Sequence, residues 1–141
     1  MRLLFLFLSI TIWSCQSTSD SHALKIATAA NFQYAIEDVV EAFEEQYQIK
    51  CEIIIASSGK LTAQIQEGAP YDIFISADMK YPELLFQDSI AEQLPIKYAN
   101  GRLVLWTNLL NDIPELSLLT KEEIKHIAIA NPSIAPYGQA S

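Results

Sequence analysis

Three short strings put amide, hydroxyl or bare backbone donors where a strand gives way to a helix: Ala30-Asn31, Ser57-Ser58-Gly59 and Ala135-Pro136-Tyr137. In open α/β sheets, ligands bind beyond the carboxyl ends of the strands, where helix N-termini aim their unpaired N–H groups. Each such start carries roughly half an elementary positive charge, and side-chain donors add direction. An ionised oxyanion offers only acceptor atoms, so converging dipoles can hold it without Lys or Arg. Each string also has a plainer reading. Asn31 is as well suited to capping a helix as to touching a ligand. Ser57 and Ser58 with a glycine invite close approach of a bound group. Tyr137 is a packed ring unless its backbone N–H opens a helix.

Other chemistries find less support. The chain has no G-x-S-x-G elbow, no glycine-rich phosphate loop ending in Lys-Ser/Thr and no H-E-x-x-H pair. Of the two histidines, His22 falls in a polar stretch and His126 opens an apolar run, which gives no metal pair. A hydrolase using Ser57 or Ser58 as nucleophile would have to take its base from His126. Asp72 and Asp78 share a sheet face by spacing, but one precedes a strand and the other is placed to cap a helix, so both are expected to be structural.

The elements that must position these donors alternate. Residues 24–29 read as a strand, followed by a helix whose stripe is Phe32, Ile36, Val39, Val40, Phe43 and Tyr47, with Glu37, Glu41, Glu44 and Glu45 as a solvated back. Residues 51–56 are a β-branched strand starting at Cys51, an ordinary packed thiol. A helix over 60–67 follows and stops at Gly68. A third strand, 71–76, leads to a helix over 79–87 with Asp78 as its cap and Pro82 in its first turn. Beyond Pro95 and Asn100-Gly101, residues 102–107 and 126–130 read as further strands, with a loop over 108–115 and a short helical turn near 120–124. Pro136 is placed to open a last helix. This alternation is the signature of βαβ units around a parallel sheet.

Length and composition frame the rest. The 141 residues carry 9 basic against 17 acidic side chains, a formal charge of −8, which argues against neutralising nucleic-acid phosphates. Two cysteines exclude a disulfide framework and a cysteine-based metal cluster. Residues 1–14 place one Arg before an apolar run too short to span a bilayer, a signal peptide in outline. The run ends at Ser14-Cys15 like a lipobox, making Cys15 a lipid-attachment candidate and 15–22 a polar tether; ordinary secretion and a buried N-terminal strand are the competing readings. The expected organisation is a first α/β lobe over 23–99 and the start of a second over 100–141. Two strands without covering helices would leave that second sheet open, so the lobe is expected to be truncated or completed from outside.

The strings Ala29-Ala30-Asn31-Phe32, Ala56-Ser57-Ser58-Gly59-Lys60-Leu61, the block from Gln66 to Asp78, and Ala130-Asn131-Pro132 with Ala135-Pro136-Tyr137-Gly138 resemble, in order and spacing, the periplasmic molybdate-binding proteins of ABC transporters. The resemblance runs from about Leu24 to the last residue. It implies a two-lobed periplasmic-binding-protein-like α/β fold, incomplete in its second lobe, that binds without catalysing and takes no cofactor or cation. The implied ligand is molybdate or tungstate, the implied partner an ABC permease, and the implied setting extracytoplasmic, a monomer held to the membrane through lipid. Carried over by position, Asn31 and Ser58 supply contacts from the first lobe and the Tyr137 amide one from the second. Ala30 is left with a backbone donor only, and Ser57 is a lesser candidate. A receptor for sulfate or another tetrahedral anion is the nearest competing reading; a surface lipoprotein that binds another protein is a more distant one.

Overall fold

The computed structural model describes residues 23–108 and 114–141. The signal segment 1–14, Cys15, the tether 15–22 with His22, and most of the expected loop 108–115 lie outside the described residues. Three parallel strands, β1 (Leu24–Ala29), β2 (Cys51–Ala56) and β3 (Ile73–Ile75), form one sheet in the order β2-β1-β3. The register is set by apolar partners, with Ile26 opposite Ile53 on one side and Ile73 on the other. β3 is shorter than the expected 71–76, leaving out Tyr71 and Asp72 at one end and Ser76 at the other. The Asp72 carboxylate accepts the Lys25 N–H at 2.7 Å, and the Asp72 N–H donates to the Lys25 carbonyl at 2.9 Å. Asp72 therefore pins β3 to the central strand, the structural role its position suggested.

A 3₁₀ turn, Ala30–Phe32, leads into α1 (Gln33–Tyr47). α1 packs Ile36 and Val40 against Ile26, with Leu24, Phe32, Cys51, Ile53 and Ile75 around them. Four of the six expected stripe residues are buried or half-buried, while Val39 and Tyr47 are exposed. A 3.6-residue period with six apolar positions spreads over more arc than a small sheet can cover. On the opposite sheet face, where the alternate residues Ala27 and Ala29 point, lie α2 (Ser58–Gln66) with its buried Leu61 and α3 (Lys80–Gln87) with Tyr81 and Leu85. α2 ends at Gly68, whose φ of 93° suits only a residue without Cβ. The cap position of α3 falls to Met79 and not to the expected Asp78, and no side chain makes the cap hydrogen bond; the Asp78 carboxylate accepts the Tyr81 N–H at 3.5 Å from one residue earlier.

The expected strands 102–107 and 126–130 do not form. A strand exists only with a ladder partner, and among the described residues neither segment has one. Their apolar side chains stand in solvent, with Val104 85% and Trp106 79% exposed. The remaining elements are a 3₁₀ turn at Leu116–Thr120, slightly earlier than the expected 120–124, and α4 (Pro136–Ala140), opened by Pro136 at its first position.

The acidic back of α1 is also not uniformly solvated. Glu44 accepts the Cys51 N–H at 2.7 Å and pairs with Lys50 at 2.7 Å, tying the helix to the start of β2. The Lys50 ammonium, then the Cys51 amide, holds the Glu44 carboxyl below the usual carboxylate range, and Glu44 in turn raises Lys50. A lowered carboxyl stabilises the fold above its unfolded pKa, and the contribution disappears as pH falls through the folded value; a raised ammonium loses its contribution as pH climbs through its own folded value. Glu44→Gln is therefore expected to lower the urea midpoint at neutral pH and to leave it unchanged in acid well below the ordinary carboxyl pKa. Equal losses at both pH values would remove the ionic explanation. Cys51 is a packed thiol, its pKa raised mainly by burial and further by Glu44.

Candidate functional site

The crossover from β1 to β2 runs on one side of the sheet and that from β2 to β3 on the other, so the chain switches direction at β1. Clefts form at such switch points, outside the carboxyl ends of the strands. A cleft of about 1230 Å³ runs along β3 from Tyr71 and reaches these carboxyl ends, with Asn31 and Phe32 following β1, Ser76 to Asp78 following β3, and Tyr98, Gly101 and Tyr137 also lining it.

Asn31 is not the helix cap that its type allows. It lies inside the 3₁₀ turn, the cap position of α1 falls to Phe32, and neither start has a side-chain cap hydrogen bond. The reason is local: the chain leaves β1 through a tighter turn, which moves the first α-helical residue two positions beyond Asn31. Its carboxamide is exposed at the cleft wall. Ala30 shares that turn and is exposed, with backbone groups as its only polar ones.

At α2 the two serines divide the work. Ser57 is the N-cap and its hydroxyl accepts the Lys60 N–H at 3.4 Å. Ser58 is 1% exposed; its hydroxyl accepts the Ala77 N–H at 3.0 Å, and its carbonyl accepts the Thr62 hydroxyl at 2.8 Å. Neither serine lines the cleft directly, but Ser58 holds from behind the Ala77 backbone that does. Its proton donates to nothing among the described residues. No hydrogen bond joins His126 to either serine, so the nucleophile-and-base pair that a hydrolase would use is not assembled among the described residues.

The third string reaches the same region. Residues 131–135 fold into a turn in which the Asn131 side chain accepts the Ser133 N–H at 2.9 Å, and the Ile134 carbonyl accepts the Gly59 N–H at 3.1 Å. The start of α2 is thereby joined to the start of α4. Tyr137, at the second position of α4, lines the cleft with Asn31, and its N–H makes no backbone hydrogen bond among the described residues.

Tyr98 was not visible as a site residue in the sequence. Its ring meets Phe32 edge-on at 5.4 Å, and its hydroxyl donates to the Ser76 carbonyl at 3.5 Å. Burial, with a smaller contribution from Tyr137, pushes the Tyr98 phenol up. No motif precedes it; the break at Pro95 marked only a loop. Charged side chains border the cleft as well: Asp72, Asp78, Glu92 and Lys97. Asp72 is committed to Lys25, and Asp78 to Tyr81 and Ser76, so those two charges are held by donors at the edge. The end formed by Asn31 and Tyr137 is the one rich in uncommitted donors.

The sheet is parallel, and the cleft at its switch point combines the uncharged donors of Asn31 and Tyr137 with the charges of Asp72, Asp78, Glu92 and Lys97. The chain belongs to the bacterial extracellular solute-binding protein family, whose pattern matches residues 24–141. It is similar to the molybdate-binding protein ModA of Azotobacter vinelandii, 35% identical over 120 residues, covering 84% of this chain and 48% of the relative. It is 33% identical over 116 residues to ModA of Rhodobacter capsulatus, covering 82% of this chain and 46% of that one. Among solved structures, the periplasmic molybdate-binding protein of A. vinelandii superposes with a TM-score of 0.73 at 41% identity, over 83% of this chain and 52% of its own. The fold is thus that of the two-lobed periplasmic binding proteins, and the chain spans about half the length of the relatives it matches.

Proposed function

We propose that this chain captures molybdate or tungstate outside the cytoplasmic membrane and hands it to the permease of an ABC importer. The carrying observation is Asn31: its carboxamide is released from capping and stands at the cleft wall shared with Tyr137. In this reading the Asn31 side chain, the Tyr137 N–H and the backbone at Ala30 bind the oxyanion, and the Ser58 hydroxyl, expected from the sequence to touch it, acts from behind by holding the Ala77 backbone. Ser57 takes the lesser role of setting the α2 start. Hydrogen bonds to a charged group contribute about 1.5–3 kcal/mol each, so a few aligned donors are enough for tight binding without a cation. The protein makes and breaks no bond and needs no cofactor. Cys15 carries the lipid that holds a monomer at the membrane surface. The lobes over 23–99 and 100–141 close on the ligand, which biases a hinge by touching both.

Calorimetric titration of the full chain with molybdate, tungstate and sulfate tests this reading. Molybdate and tungstate are expected to bind one per chain and to compete with each other. Binding of sulfate alone would assign the cleft to a smaller tetrahedral anion, and binding of none would remove the oxyanion reading.

A further inference from the structure

Three of the four glycines meet at one seam, and none of the three has a positive φ. Conformational freedom is therefore not what they supply. A Cβ on Gly59 would lie 2.9 Å from the Tyr81 hydroxyl, 3.1 Å from the Ile134 carbonyl oxygen and 3.2 Å from the Ile134 Cα. A Cβ on Gly101 would overlap the Tyr137 hydroxyl, and one on Gly138 would overlap the backbone of Ala130 and Asn131. Gly59 and Gly101 belong to separate stretches of chain, yet both receive residues 134–137. The first fixes the turn at Ile134 through the Gly59 N–H hydrogen bond, and the second receives the Tyr137 ring.

We infer that Gly59 and Gly101 are positioning residues: two seats without side chains that set how closely the Tyr137 amide approaches Asn31 across the cleft. Resting on the oxyanion reading above, this makes the two glycines determinants of anion affinity although neither needs to touch the anion. Donor placement within about half an ångström decides whether a preorganised site works; a methyl group at Gly59 presses on the Ile134 backbone at 3.1 and 3.2 Å, and one at Gly101 drives the Tyr137 ring from its seat. Gly68 supplies the contrast. Its φ is 93° and nothing lies within 4 Å of its would-be Cβ, so a substitution there strains the backbone without moving the seam.

The test uses Gly101→Ala, Gly59→Ala, Gly68→Ala and the double variant Gly101→Ala/Tyr137→Phe, with two readouts on the full chain: molybdate titration, and hydrogen exchange at the residue 59 amide without ligand. Gly101→Ala and Gly59→Ala are expected to weaken molybdate binding about tenfold, the usual scale for overpacking a tight contact, and to speed exchange at residue 59. Removing the clashing hydroxyl in the double variant is expected to recover part of the loss. Gly68→Ala is expected to lower the unfolding midpoint while leaving affinity and residue 59 exchange unchanged. Parental affinity and parental exchange in both seat variants would overturn the inference, as would a loss in Gly68→Ala equal to theirs. If the parent binds no oxyanion but exchange still quickens in the seat variants, the ligand assignment fails and the seats stand.

Discussion

Asn31→Asp is expected to weaken molybdate binding by about 100-fold or more while leaving the unfolding midpoint where it is. Aspartate has nearly the shape of asparagine, so the cleft keeps its form. What changes is that two N–H donors are replaced by a second anion facing a doubly charged ligand. Losing one hydrogen bond to a charged group accounts for about 1.5–3 kcal/mol, and like-charge repulsion at a few ångströms adds to it. The fold has no comparable stake in this side chain, which is exposed, caps no helix and belongs to no strand. Calorimetry and urea denaturation on the same preparation separate the two effects. Unchanged affinity would remove Asn31 from the site; a lowered midpoint would show that it has a structural role after all.

Ile36→Ala is expected to produce the largest loss of stability of any single truncation in α1. Ile36 is 1% exposed and, with Ile26 and Val40, makes up the buried centre between helix and sheet. Deleting a buried Ile side chain down to Ala costs about 2–5 kcal/mol, the higher end where the surroundings cannot collapse into the void. With stability in domains of this size at roughly 5–15 kcal/mol, such a loss is a large share of the whole. Val39→Ala, at a position 53% exposed on the same helix, is expected to stay within about 0.5 kcal/mol. Urea midpoints of the two variants decide the matter. Equal small losses would mean that α1 does not anchor the sheet.

The local rules of chain chemistry carried the sheet most of the way. Residues 24–29 and 51–56 have matched apolar patterns and clear terminators, and both form strands with those bounds. Gly68 ended its helix for the stated reason. Where reading by pattern failed, tertiary context decided twice and a local turn once. Residues 102–107 have the composition of a strand, but no ladder partner among the described residues. Glu44 has the spacing of a solvated residue, yet the start of β2 brings an amide and an ammonium to it. Asn31 has the chemistry of a cap, but a 3₁₀ turn moved the cap position past it. The first two trace to tertiary context overriding a correct local preference, and the third to the tight local turn that follows β1. Gly59 reads as a place of close approach for a bound group and Gly101 as part of a break, and both are approached closely by other parts of the chain.

The strand order β2-β1-β3 means that the middle strand is also the earliest to be synthesised. β1 leaves the ribosome with both of its hydrogen-bonding edges open. One edge closes only when residues 51–56 emerge and the other only when 73–75 do. In the interval after β2 has paired, the nascent chain exposes an apolar strand edge of the kind that recruits other chains into aggregates. A binding chaperone during translation would have its most valuable substrate between those two events.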